Sequence, residues 1–264
     1  MKQRVISAIF IVAITAAACL IGGYFLMAVC AFINIWGSKE VIGLKKDYKS
    51  KSLFITMCLS TLLICFGPFL FNFDIRTIVV LVEPIALCSI AVFNERINFE
   101  DVGTAYIMSI ILGYSTYYFI YFDNFSKFLF GYVIIISYIT DVFALFTGMA
   151  FGKNKLNERI SPKKTIEGFI GGWILGGLIS FLFAWIFKFF YMDIRVIIIG
   201  SLTLPLLSQI GDLVFSMIKR HYGVKDYSNL IPGHGGLLDR LDSLFITTLF
   251  LGAICIVLVW KELY

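Results

Sequence analysis

Residues 216–242 run SMIKRHYGVKDYSNLIPGHGGLLDRLD. The stretch holds four cations, Lys219, Arg220, Lys225 and Arg240, beside the carboxylates Asp226, Asp239 and Asp242. Asp239 and Asp242 are three apart, so a helix projects both from one face. Just upstream, Ser208, Asp212, Ser216 and Lys219 follow spacings of four, four and three, which lines one face of a single helix and ends beside Arg220. Carboxylates that converge without partners repel one another, and a hard divalent cation such as Mg2+ removes that penalty. The glycines Gly233, Gly235 and Gly236 let backbone approach a phosphate closely. Carboxylates for a metal and cations for phosphates are the equipment of phosphoryl or nucleotidyl transfer. His234 fits two roles equally well, a donor to phosphate or to an aspartate, or a structural residue.

A second group begins at Asp141, which shares a helix face with Leu145, Gly148 and Gly152, with Lys153 and Lys155 beyond. SPKKTIEGFIGG follows at 161–172. Its pattern predicts Ser161 as an N-cap and Pro162 as the first helical residue. Lys163, Lys164 and Thr165 then fall in the first turn, ahead of Glu167. Helix starts favour anions, so two lysines there weaken the isolated helix but make a strong phosphate site. Lysines that only set membrane topology, beside an ordinary cap, are the competing explanation. Glu83, before Pro84, is a third carboxylate in an apolar run, either functional or meeting water or a lysine at a kink.

The elements that position these residues are set by composition. Of 264 residues, 59% are hydrophobic and 15% charged, and the mean hydropathy is +0.91. A soluble chain of this composition lacks polar surface to cover itself, so the class is an all-α, polytopic membrane protein. Apolar runs predict nine spans, at 5–20, 22–37, 53–72, 76–93, 102–122, 128–150, 167–190, 195–218 and 244–260. MKQR before the first run resembles a signal peptide, but the run is taken as a retained first helix. Gly22-Gly23 is the expected turn between the first two spans. With the N-terminus in the cytoplasm and the C-terminus outside, only Arg76, Lys127, Lys188, Arg195 and Lys261 of the 22 basic residues fall on the outer side. Both long polar loops are then cytoplasmic. The chain divides into helices 1–4 (residues 1–101) and helices 5–9 (102–264), which carry the chemistry. The basic run KKDYKSK at 45–51 is best explained by topology and anionic headgroups. All six cysteines lie in apolar runs without a C-x-x-C pair, which supports neither a disulfide framework nor a zinc site.

The run Ser216-x-x-Lys219-Arg220-x4-Lys225-Asp226-x5-Pro232-Gly233-His234-Gly235-Gly236-x2-Asp239-Arg240-x-Asp242 resembles the signature of phosphatidate cytidylyltransferases, the CDP-diacylglycerol synthases. The segment from Asp141 through Gly152-Lys153 to Ser161-Pro162-Lys163-Lys164-Thr165-x-Glu167-Gly168 is similar to that family too. The resemblance implies condensation of CTP with phosphatidic acid to CDP-diacylglycerol and pyrophosphate, with Mg2+. It implies Asp212 and Asp239 as metal ligands with Asp242 beside them, and Lys219, Arg220 and Lys225 on the CTP phosphates. Ser161, Lys163 and Lys164 would serve the nucleotide or the lipid phosphate. Thr165, Ser216, Asp226, His234, Gly235, Gly236 and Arg240 complete the expected substrate site, with Asp141 and Glu167 as further candidates. The family pattern also points to K+ as a second cation and to a homodimer. A compact chain without extra targeting segments is expected in the bacterial plasma membrane, with no nucleic-acid partner. Two rivals stay open at this point. A CTP-dependent lipid kinase or an enzyme of another lipid would share CTP and Mg2+. A carrier using Asp141 and Asp212 as relay sites would have no use for a basic, glycine-rich loop.

Overall fold

The computed structural model describes residues 13–71, 73–187, 193–231, 233 and 235–259. Helix α1 covers residues 13–21 and so takes in 13–20 of the first expected span, and the remainder of that span lies outside the described residues. The chain breaks at Gly22, where φ is 62°, and restarts at Gly23, where φ is 51°. Glycine is the residue that adopts this left-handed backbone without penalty. The expected turn is therefore present. Helices α2 (Gly23–Ile42), α3 (Lys51–Leu70), α4 (Ile75–Val92), α5 (Phe99–Phe125) and α6 (Lys127–Phe151) follow. Strands β1 (Lys155–Asn157) and β2 (Ser161–Thr165) precede α7 (Ile166–Ile186), α8 (Ile194–His221) and α9 (Leu238–Val259). Among the described residues, eight helices, α2 to α9, are long and apolar enough to cross a membrane. Large apolar side chains stand exposed along them, among them Leu81, Leu145, Ile174 and Leu202. In a bilayer such side chains meet lipid and need no protein cover. The protein is a predominantly helical, multi-pass membrane protein with one short β-hairpin.

Two compact units emerge, one of Met1–Asn124 with His221–Leu241, the other of Phe125–Arg220 with Asp242–Tyr264. In the first unit, Gly113 of α5 lets α3 close in, since a Cβ there would sit 2.7 Å from Cβ of Ile64. At the start of α2, the Gly23 N–H donates to Oδ2 of Asp123 on α5 at 3.0 Å. Glu83 of α4 is buried, with the hydroxyls of Ser60 and Ser109 beside its carboxylate.

In the second unit, α7 packs along α6 through a row of glycines. A Cβ on Gly172 would lie 2.7 Å from Cβ of Ala144, and one on Gly168 would lie 2.6 Å from the Ala144 carbonyl. Small residues allow such close helix approach, the usual device inside membranes. At the other side of this unit, the Tyr132 hydroxyl of α6 shares a 2.7 Å hydrogen bond with Ser201 of α8.

The helix start expected at Ser161 is corrected by the structure. Ser161–Thr165 is a strand, paired antiparallel with β1 through Lys155↔Thr165 and Asn157↔Ser161. Thr165, not Ser161, caps α7: its Oγ1 accepts the Gly168 N–H at 3.1 Å. Pro162 fits an edge strand, where its missing N–H costs no ladder bond. The Ile166 N–H donates to the Asn154 carbonyl at 3.0 Å, which ties the hairpin to the helix start. Lys163 and Lys164 therefore project from a strand, two residues and one residue ahead of the cap.

Candidate active site

In the second unit, three helices each contribute a carboxylate, Asp141 from α6, Asp212 from α8 and Asp242 from α9. All three are half-buried. Asp242 feels the like charges of Asp212 and Asp141 and the opposite charge of Lys219, and Asp141 feels Asp212 and Lys164. The Lys164 ammonium forms an ion pair with Oδ2 of Asp212, while Oδ1 of Asp212 accepts from the Ser216 hydroxyl at 3.3 Å. The Ser243 hydroxyl donates to Oδ2 of Asp141 at 2.9 Å and accepts from Ser137 at 3.0 Å. The Ser243 N–H donates to Oδ1 of Asp242 at 2.8 Å. The predicted stripe on α8 is thus real at Asp212 and Ser216, and its Lys219 is buried.

The basic hairpin is fixed by Glu167. Its carboxylate accepts the Lys153 N–H at 3.1 Å, the Asn154 N–H at 3.2 Å and the Asn154 side-chain amide at 2.8 Å. Arg220, at the end of α8, donates from Nε to the Ile160 carbonyl at 3.3 Å. Lys163 is exposed and Ser161 half-buried on the same hairpin.

The donor chemistry around Asp212 fits a hard divalent cation. It is oxygen-only and anionic, and it is set among apolar helices, where like charges repel strongly. Among the described residues, no three His, Cys, Asp or Glu side chains are yet close enough to hold an ion. Lys164 supplies the positive charge at Asp212 instead.

The first unit holds the glycine-rich loop. Gly235 and Ile231 bond to each other in both directions, at 2.9 and 3.1 Å, closing a tight turn in which Gly233 has φ 78° and Gly235 φ 87°. Pro232 and His234 lie outside the described residues, so the roles considered for His234 have no structural counterpart here. Asp239 faces this loop: its Oδ2 accepts the N–H groups of Tyr227 and Gly236, both at 2.8 Å. Lys225 and Asp226 are exposed, and Arg240 is half-buried. Past α8, the Tyr222 hydroxyl donates to Asp101 at 3.1 Å and to Thr104 at 3.2 Å, and burial pushes its pKa up to about 12.

Glu40 also holds the glycine-rich loop, without a motif to mark it in the sequence. It lies in the last turn of α2, is 3% exposed, and accepts from Ser228, Leu237 and Leu238. In the sequence it stands beside Lys39 at the end of an apolar run. The available signal was a lone carboxylate at a span's end, on the side where the glycine-rich loop was also expected.

Residues 2–258 match the cytidylyltransferase family. A phosphatidate cytidylyltransferase of Staphylococcus haemolyticus is 31% identical over 250 residues, covering 92% of this chain and 94% of that protein. The Staphylococcus aureus protein of the same name is 32% identical over the same shares. That of Bacillus subtilis is 37% identical over 161 residues, 60% of each chain. A match that runs through every described helix, and includes both the carboxylate group of the second unit and the glycine loop of the first, places this chain in the cytidylyltransferase family.

Proposed function

We propose that this enzyme condenses CTP with phosphatidic acid to give CDP-diacylglycerol and pyrophosphate. The observation that carries the reading is the group in the second unit: Asp141, Asp212 and Asp242 from three helices, with Lys164 on Asp212 and Lys219 beside Asp242. Carboxylates with two lysines, set at membrane helices, suit one soluble polyanion and one lipid phosphate.

An oxygen of the lipid phosphate attacks the α-phosphorus of CTP. The bond from that phosphorus to its bridging oxygen breaks, and pyrophosphate leaves with the electron pair. The nucleophile is already anionic, so no strong general base is required, and none stands among these residues. The barrier is repulsion between two anions. Lys164 and Lys219 lower it by placing positive charge where the phosphates meet. Asp212 and Asp242, with Asp141 beside them, would hold Mg2+, which supplies charge neutralisation to the transferring phosphoryl group. K+ is proposed as a second cation. The family resemblance also assigns Asp239 to the metal, and in this structure its Oδ2 serves loop N–H groups. Lys225, Arg220 and Arg240 are proposed to receive nucleotide phosphates, and Lys163 and Ser161 either substrate's phosphate. The enzyme is placed in the bacterial plasma membrane, N-terminus inside, as a homodimer.

Product analysis tests this reading. With labelled CTP and phosphatidic acid, CDP-lipid and pyrophosphate should appear together. Phosphorylated lipid with free CDP would indicate a lipid kinase, and lipid-independent flux of solute would indicate a carrier.

A further inference from the structure

Glu40 and the glycine-rich loop are 188 to 198 residues apart in the chain, yet Glu40 is saturated by that loop. Its Oε1 accepts the Ser228 hydroxyl at 2.6 Å and the Leu237 N–H at 2.8 Å, and its Oε2 accepts the Leu238 N–H at 2.9 Å. Leu238 opens α9, so these N–H groups are among those a helix start leaves without an intrahelical partner. A negative charge at that end also opposes the helix dipole favourably. Ser228 passes the contact on, its oxygen accepting the Leu230 N–H at 3.1 Å.

The glycine pair is pressed against this anion and against Asp239. A Cβ on Gly236 would sit 2.7 Å from Oε1 of Glu40, and one on Gly235 would sit 2.9 Å from Oδ2 of Asp239. Gly235-Gly236 thus serves close approach to two carboxylates of the protein itself. A buried acceptor, Glu40, and a half-buried one, Asp239, hold the backbone, while Lys225 on the same loop stands exposed. Glu40 is too enclosed, and too fully engaged by backbone and hydroxyl donors, to act on a ligand directly.

We propose that Glu40 is a positioning residue for the nucleotide, holding Ser228, Leu237 and Leu238 so that the loop bearing Lys225 and the Gly235-Gly236 pair is ordered before CTP arrives. The inference rests on the cytidylyl-transfer reading above. An ordered loop spares CTP the cost of arranging it, and that cost would otherwise appear as weaker apparent binding.

The test uses the full chain in detergent or nanodiscs, with Glu40→Gln and Ser228→Ala. Glu40→Gln keeps the shape but turns one acceptor into a donor facing an N–H group. Amide hydrogen exchange without substrate should quicken about tenfold across 227–238, and peptides of α3 to α5 should be unchanged. The KM for CTP should rise about tenfold while that for phosphatidic acid stays put. Ser228→Ala should shift both readouts the same way by less. Unchanged exchange at 227–238 overturns the anchor. Faster exchange with an unaltered CTP KM overturns the positioning role. A wild-type protein that turns over no CTP refutes the proposed function instead, and the exchange measurement still decides the anchor.

Discussion

Replacing Gly172 by alanine tests whether the α6–α7 contact sets the position of the basic hairpin. Gly172 faces Ala144, and the added Cβ would stand 2.7 Å from the Ala144 Cβ, 2.9 Å from the Thr140 carbonyl and 3.1 Å from the Ala144 Cα. Ordinary carbon contacts lie at about 3.5–4.0 Å, so α7 must move off α6 by about 1 Å. Two of the three obstructing atoms are backbone, which cannot rotate away. Overpacking costs about 1–3 kcal/mol, and exchanging glycine for alanine in a helix returns about 1 kcal/mol. The net destabilisation is therefore about 0–2 kcal/mol, a thermal shift of a few degrees at about 2–4 °C per kcal/mol. Activity should suffer far more. Helix α7 starts at the Thr165 cap, next to Lys164, whose ammonium meets Asp212. A misplacement of about 1 Å at reacting groups costs about 100-fold in rate. The assay is CTP turnover with phosphatidic acid alongside thermal unfolding. Gly103→Ala serves as control, because a Cβ there meets nothing within 4 Å. Turnover of Gly172→Ala within about twofold of wild type would refute the idea that this contact positions Lys164.

Two further substitutions address single charges. Lys164→Ala removes the cation on Asp212 and should lower kcat/KM about 100-fold, the scale of one lost electrostatic stabiliser; an unchanged value would remove Lys164 from the site. Glu83→Gln should leave turnover as it is and hold or slightly raise thermal stability, since a buried carboxyl among apolar helices becomes a neutral isostere; a large loss of activity would give Glu83 a functional part.

The spans were legible because membrane helices announce themselves by long apolar runs, and Gly22-Gly23 marked a break because both residues take positive φ. The stripe Asp212–Ser216–Lys219 was legible because helical spacing alone puts those side chains on one face. Ser161–Thr165 was misjudged because Ser-Pro followed by lysines has the same appearance before a helix or in a short edge strand. What decides is the pairing with Lys155–Asn157 and the bond from Ile166 to Asn154, neither of which is visible in local sequence. Glu40 was missed for the same reason on a larger scale, since its partners lie nearly 200 residues away (198 for Leu238). The glycine pair fits a surface for phosphate by sequence, and its close approach to Glu40 and Asp239 is a second cause for the same residues.

The most direct measurement is turnover of radiolabelled CTP with phosphatidic acid across a Mg2+ titration, for the wild type and for Asp242→Asn and Asp239→Asn. The account predicts labelled lipid and pyrophosphate in equal amounts, a saturable metal requirement, and loss of turnover in Asp242→Asn by about 100-fold or more with the protein still folded. Loss in Asp239→Asn with its metal requirement altered would join that residue to the metal ligands, whereas loss at an unaltered requirement would leave it as a loop anchor. A folded wild-type protein that forms no labelled lipid, or an Asp242→Asn variant that keeps a near-normal rate and metal dependence, would contradict it.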